Sequence, residues 1–421
     1  MVALAAVSVL PLRAQEAASA ITLEEAVRLA VRNDPAAVAA EAGITSARAD
    51  LLQAKGAFTP SLTVNSAYSN SSNSRFDQTS GQLVSESYTA QVQTGYDLFT
   101  GGRRFTALRA ANADAAAAEA RYISQRYATV LRATESFYAA AAARDIVDAA
   151  NQRLARAKAQ LEAANTRLEL GTATQSDALR AQLEVGNAEL AVLDAESSLN
   201  TAALELGRII GTGGAVATAA EALPASAPAL PGTSALIAEA AASSPIVQTA
   251  DAVLRSRRAD RLGAYTPYLP SLRLTGGYDW TNFEFPPRTR SWVMRLTASL
   301  PVLNGFAREA AVQRASADER VAEAQAKDAR IGARVAVESA VAEIASAERR
   351  VQIADRAVQL AREDLRVQEE RYSMNAATIL DLQTSQVALS DAEVAAVRAR
   401  QTLGTAVARL EAILGRPLNQ E

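Results

Sequence analysis

The stretches "RLELGTATQSD" (Arg167–Asp177) and "RYSMNAATILD" (Arg371–Asp381) decide how this chain is read. Each opens on Arg, has Ala-Thr at its seventh and eighth positions, and closes on Asp. Each also interrupts a long, Ala-rich tract with helical patterning. Thr174-x-x-Asp177 and Thr378-x-x-Asp381 have capping-box spacing, in which a hydroxyl accepts from a backbone N–H and the acid answers the cap. A helix therefore ends before each stretch and another begins inside it.

Working outward, the two breaks belong to one unit written twice. Pro35 and Pro60-Ser61-Leu62 are repeated as Pro245 and Pro270-Ser271-Leu272, 210 residues on. Gly101 and Gly211 are repeated as Gly305 and Gly415, 204 residues on. The change of offset places a six-residue insertion of the first copy inside "SNSSNSRFDQTSGQL". The copies run over 21–211 and about 234–415, and 212–233 is a Pro/Ala/Gly linker. Residues 416–421 form a C-terminal tail. Each copy reads as helix, two strands, long helix, break, long helix. The first helix starts at the capping box of Thr22, and its counterpart contains Ser244-Pro245, an N-cap with Pro at the first helical position.

After each Pro-Ser-Leu the apolar period becomes two, predicting strands over about 61–73, 83–99, 271–285 and 290–303. Leu272, Leu274, Gly276, Tyr278 and Trp280 share one face; Arg273, Thr275, Gly277, Asp279 and Thr281 share the other. Val92, Tyr96, Trp292, Met294 and Leu296 extend the apolar face, and Gln91, Asp97 and Arg295 the polar one. These strands exceed the roughly 9–11 residues that cross a bilayer as a tilted strand. The alternation equally describes a soluble sheet packed on helices, so alone it leaves both readings open.

The helical hairpins are predicted over about 102–211 and 306–415. Val337, Ile344, Val351, Val358, Leu365 and Tyr372 recur every seven residues, as do Leu382, Leu389, Ala396, Leu403 and Leu410 on the return helix. Sustained sevens mean coiled-coil seams, and Ala340, Ala347 and Ala354 supply a small residue per repeat that permits close approach. Gly101 to Gly171 spans 70 residues without Pro, a helical path of about 100 Å. The breaks are then hairpin tips.

Composition removes most chemistry. The 421 residues include no Cys and no His, so thiolate and imidazole metal sites, Cys nucleophiles and His-based triads are excluded. No nucleophile–base set is visible and no cofactor or metal is expected, so the chain reads as a non-enzyme. A net charge of -3 and the lack of a Gly-rich phosphate loop argue against nucleic-acid and nucleotide partners. Residues 1–20, "MVALAAVSVLPLRAQEAASA", read as a secretory signal lacking a basic n-region, with cleavage expected between Ala14 and Ala20. Absence of Cys excludes an N-terminal lipidated cysteine. No later run of about 18 apolar residues predicts a transmembrane helix. Export without one leaves a soluble periplasmic protein or an outer-membrane barrel. Four strands cannot close a barrel, and open edges cannot face lipid. A membrane reading thus demands oligomerisation. Two chains would give eight strands and a filled interior; three would give twelve and a duct lined by the polar face.

The tandem repeat, the strand entries "TPSL" and "LPSL", "LFTGGR", and the two tip sequences together make the chain resemble the TolC-like outer-membrane factors, over essentially its whole mature length. The resemblance implies a mixed α and β fold: four antiparallel strands and long coiled-coil hairpins per chain, with a homotrimer forming a 12-stranded β-barrel on a periplasmic α-barrel. It implies the exit duct of a tripartite efflux pump or type I secretion system. A periplasmic adaptor, an inner-membrane transporter and outer-membrane lipid would be its partners. It further implies that Leu170, Gly171 and Thr172 dock the adaptor, with Met374, Asn375 and Ala376 as the second tip, where the family's Gly is replaced by Asn. Asp177, Asp381 and Tyr372 match entrance positions. Thr384 stands where the family has a second ring carboxylate, and Ala377 where it has a gate arginine, so the closed state is expected to rest on other contacts. Asp177 and Asp381 serve as caps alone or as caps that also line the entrance. In the second case six carboxylates of a trimer would make it cation-selective and pH-sensitive. The competing function is a soluble periplasmic coiled-coil adaptor or scaffold.

Overall fold

The computed structural model describes residues 20–76, 81, 83–220, 223–374 and 376–418. The expected signal segment lies outside the described residues apart from its last position, and Asn375 and 419–421 of the tail lie outside them too. The fold is mixed α and β, in the order α1 (Leu23–Asn33), α2 (Pro35–Gly56), β1 (Ser61–Phe76), β2 (Leu83–Phe99), α3 (Arg103–Glu169), α4 (Gln175–Ile210) for the first half. The second half repeats it: α5 (Thr233–Ser243), α6 (Pro245–Ala264), a 3₁₀ turn at Thr266–Tyr268, β3 (Ser271–Asn282), β4 (Thr289–Ser299), α7 (Ala307–Ser373), α8 (Ile379–Leu414). No described helix is long and apolar enough to cross a membrane.

Where the sequence suggests one helix ahead of each strand pair, there are two. Asp34 and Ser244 are extended or follow an ended helix, and Pro35 and Pro245 begin the next one. The physical cause is the residue before proline, which the ring excludes from helical backbone. Proline itself suits a first helical position, where its missing N–H has no partner to lose.

The described residues form two compact units. One comprises those up to Ala40, Ile123–Pro245, and those from Gly332 onward. Its core is the heptad seam: Val337, Ile344, Val351 and Leu365 of α7 and Leu382, Leu389, Leu403 and Leu410 of α8 are all buried. Between them sit Ala340, Ala347 and Ala354, also buried, because only a methyl fits where backbones run this close. A second cluster joins α1 to α3 and α4 through Ile21, Ala26, Ala30, Ala133, Phe137, Leu206 and Ile210. Asp34 fastens this end of the unit: it accepts from the Thr129 hydroxyl and from Arg132 at 2.6 Å. Burial pushes its carboxyl pKa up, but Thr129, the Ala36 N–H and Arg132 outweigh it and hold the group below its ordinary value. Both hairpins finish on glycine, Gly211 and Gly415, in left-handed backbone.

The other unit, Glu41–Tyr122 and Ile246–Ile331, carries the sheet. Its strands are ordered β1-β2-β3-β4 and all neighbours are antiparallel. β1 advances from Asn70 to Arg75 while β2 moves only from Glu86 to Val84, so surplus residues of β1 bulge out. This is the stretch to which the sequence assigns an insertion. β3 stops at Asn282, short of 285, and the following Phe285-Pro286 bond is cis. β4 stops at Ser299, short of 303. At the first end Phe283 N donates to the Asn282 side chain at 2.9 Å instead of to a neighbouring strand, and at the second Pro301 has no N–H to give a ladder. Gly101 has φ +60, and a Cβ there would lie 2.6 Å from the Thr266 carbonyl oxygen, so only glycine lets the chain turn from β2 into α3 this close to the 3₁₀ turn.

Candidate functional site

Two surfaces carry the features the sequence singles out: the hairpin tips and the polar face of the sheet. Each lies within one unit.

At the first tip, α3 ends by a Schellman closure. Thr172 N donates to the Arg167 carbonyl at 2.9 Å and Gly171 N to that of Leu168 at 3.0 Å. Gly171 takes φ +71, the left-handed geometry this closure requires. The Thr172 hydroxyl adds a bond to the same Arg167 carbonyl at 3.2 Å. Leu170 stands exposed beside it. At the second tip Ala376 N donates to the Arg371 carbonyl at 2.8 Å, and Met374 is likewise exposed.

Both capping boxes are complete. Asp177 N donates to Thr174 Oγ1 at 3.2 Å and Thr174 N to Asp177 Oδ2 at 2.9 Å. Asp381 N donates to Thr378 Oγ1 at 3.3 Å and Thr378 N to Asp381 Oδ2 at 2.9 Å. The Thr378 N–H and hydroxyl hold the Asp381 carboxyl below its ordinary pKa, and Arg371 adds to the effect against a small penalty of burial. Thr384 Oγ1 donates to the Leu380 carbonyl at 2.8 Å and so is spent on its own helix.

The tips are joined by a residue the sequence reading passed over. Arg167 of the first hairpin donates to the Tyr372 carbonyl at 2.8 Å and the Ser373 carbonyl at 3.2 Å. Its guanidinium lies 4.4 Å from the centre of the Tyr372 ring, a cation–π contact. The carbonyls it takes belong to the last turn of α7, where intrahelical partners run out. Its repeat mate, Arg371, turns instead to its own hairpin and donates to the Ala376 carbonyl at 3.2 Å. Ala164, Ala181 and Ile379 bury together beneath the strap, and Gln383 of α8 donates to the Arg180 carbonyl of α4 at 3.1 Å. The signal in the sequence was present: Arg is the one charged residue that keeps its place at the head of both tip stretches.

In the sheet, register brings the expected faces together. Val92 opposes Tyr278, which opposes Trp292; Tyr96 opposes Leu274, which opposes Leu296. On the other face Asp97 opposes Arg273 and Gln91 opposes Asp279, and the first of these pairs is bridged at 3.5 Å. Leu62 and Val64 of β1 and Trp292, Met294 and Leu296 of β4 are all exposed, although they lie on the apolar face. β1 and β4 are both edges, with no further strand beside them. Among the described residues no group of His, Cys, Asp or Glu is arranged to hold a metal ion.

These features match known proteins along nearly the whole chain. Residues 26–212 and 236–416 each match the sequence model described as outer membrane efflux protein, one match per repeat. Protein CyaE of Bordetella pertussis is 26% identical over 333 residues, covering 77% of this chain and 69% of CyaE. The outer membrane protein VceC of Vibrio cholerae superposes with a TM-score of 0.78 at 18% identity, over 94% of this chain and 97% of VceC. The open state of the MtrE outer membrane channel of Neisseria gonorrhoeae gives 0.77 at 20% identity, over 94% and 89%. At such identities the two structures speak for the fold, and the mixed α and β architecture with long hairpins is theirs as well.

Proposed function

This chain belongs to the outer membrane efflux protein family, and from that premise we propose that three copies close a single channel, the passive exit duct of a tripartite efflux pump or type I secretion system. One observation carries the reading: a four-stranded sheet with two unpaired edges, one apolar face and one polar face. In lipid each unpaired backbone group costs several kcal/mol. Pairing β4 of one copy with β1 of the next, three times over, removes every edge and gives twelve strands. The apolar face meets lipid and the polar face lines water. A soluble scaffold would instead leave Trp292, Met294 and Leu296 against water with nothing gained.

The duct performs no bond chemistry; its energy is supplied by an inner-membrane transporter, coupled through a periplasmic adaptor. Leu170, Gly171, Thr172, Met374, Asn375 and Ala376 are the residues offered to the adaptor. Asp177, Asp381, Tyr372 and Thr384 border the entrance, with Asp177 and Asp381 capping α4 and α8 while lining the opening. Planar-bilayer recordings test this. The purified protein is expected to open cation-selective channels whose selectivity falls in Asp177→Ala and Asp381→Ala. A protein that conducts nothing, and stays monomeric and soluble without detergent, overturns the channel reading; unchanged selectivity in both variants overturns the entrance assignment.

A further inference from the structure

The unit that carries the sheet also holds a groove between two of its helices. α3 follows β2, and α6 leads through the 3₁₀ turn into β3. The two helices meet where Gly263 faces Thr106, since a Cβ on Gly263 would lie 3.2 Å from the Thr106 hydroxyl oxygen. Further from the strands, a cavity of about 430 Å³ opens between them. Its charge has one sign. Arg109 of α3 and Arg255 and Arg258 of α6 line it, and no carboxylate does. Arg109 and Arg255 are exposed and have no ion-pair partner among the described residues. Arg258 lies 3.6 Å from Glu319, but that carboxylate is shared with Arg261, which is nearer at 2.8 Å. The acid of α3 closest in sequence to Arg109, Asp114, stands about 140° around the helix from it.

The side on which the groove opens follows from the helix period. Arg103 lines a different cavity together with Gly95, Asp97 and Arg273, residues of the polar face of the sheet. Phe105 lies about 200° around α3 from Arg103, and Arg109 and Asn112 continue the Phe105 stripe. The stripe that borders the groove therefore turns away from the water-lining side. Phe105 is 60% exposed, and on α6 Leu262 and Tyr265, on the stripe of Arg255 and Arg258, are 46% and 49% exposed. Read away from the strands, each helix passes from aromatic to arginine. That is the order in which a bilayer changes from interface to headgroup. Arg109 is six residues inside α3 and Arg258 six from the end of α6, about 9 Å of helix. A headgroup layer is roughly 5–8 Å deep, and arginine side chains extend back along the helix to reach it. The groove lies under β2 and β3, the central strands, away from the edges β1 and β4 where the next copy would join.

We propose that this groove binds the phosphate of an anionic phospholipid in the leaflet that faces the periplasm. Arg109 and Arg255 grip the phosphate, Arg258 adds to the field, and the acyl chains run past Leu262, Tyr265 and Phe105 toward the sheet. A planar guanidinium offers paired N–H donors that match phosphate oxygens. A zwitterionic headgroup brings an ammonium beside the same phosphate, which the arginines repel, so the site selects by net charge. The assignment rests on the channel reading, which places the sheet in lipid.

Native mass spectrometry of the full-length, detergent-extracted protein, offered phosphatidylglycerol and phosphatidylcholine in equal amounts, tests the site. The wild type is expected to retain phosphatidylglycerol at least about tenfold over phosphatidylcholine. Arg109→Gln with Arg255→Gln should abolish the preference, and Arg109→Lys with Arg255→Lys should keep it. Arg257→Gln, which removes an arginine paired with Asp260 at 3.0 Å outside the groove, should leave it unchanged. Millimolar inorganic phosphate should not displace the lipid, because it lacks the apolar contacts; displacement would make the groove a site for free anions and overturn the lipid assignment. Equal retention of the two lipids by the wild type overturns the site and leaves the channel standing. So does a preference that survives the glutamine pair or is lost in the lysine pair. A protein that retains no lipid and stays soluble without detergent overturns both.

Discussion

Arg167 and Arg371 occupy the same place in the two repeats, and they are bonded differently. Arg371 closes its own turn, while Arg167 spans to the other hairpin and caps the end of α7. Arg167→Ala is therefore expected to speed amide exchange at Met374 and Ala376 in hydrogen-exchange mass spectrometry and to loosen the first tip from the second. Arg371→Ala should leave the link between hairpins in place. At the caps, Thr174→Ala or Thr378→Ala should each cost about 1 kcal/mol, read from denaturant midpoints, since each strips a partner from the first turn of a long helix. Asp381 has a depressed pKa, so its contribution to the cap is present above the ordinary carboxylate pKa and is lost as pH falls through the lower folded value. Slower exchange at the start of α8 in wild type than in Asp381→Ala is thus expected at neutral pH, the two converging in strong acid. The caps were legible in the sequence because Thr and Asp three residues apart act locally. The strap was not, because its partners stand 205 and 206 residues away and only the packed tips bring them together.

At the scale of elements, periodicity was the readable signal and proline the main source of correction. The sevens of α7 and α8 put Val337, Ile344, Leu382 and Leu403 inside, and they are inside. Leu403→Ala should cost roughly 2–5 kcal/mol, measured as a shift of the unfolding midpoint, because Leu403 is fully buried in the seam. The twos of the strands put Leu296 on the apolar face. In the proposed barrel, Leu296→Arg is expected to cost about 2–4 kcal/mol if it lies near the bilayer midplane, seen as loss of detergent-resistant assembly. Strand ends and the division of the first helix were missed by a few residues, since a period counts side chains and not backbone donors. Pro35 and Pro245 keep the residue before them out of helical backbone, and Pro301 has no N–H to give a ladder, and these set those limits.

At the scale of the whole molecule, the repeat tells more than any single motif. It gave the order of elements twice. The complete assembly should migrate as a high-mass species on an unboiled gel and collapse to the single chain on heating. What the duplication did not foretell is how Ile21, just ahead of α1, is tied down. Ile21 N donates to the Ala217 carbonyl at 3.0 Å, and Ala219 N to the Ile21 carbonyl at 2.8 Å, so the leading segment lies alongside the linker that separates the repeats. Because that neighbour lies roughly two hundred residues further along the chain, the segment leading into α1 reaches its final pairing only once the whole first repeat is in place, a late and non-local step of folding.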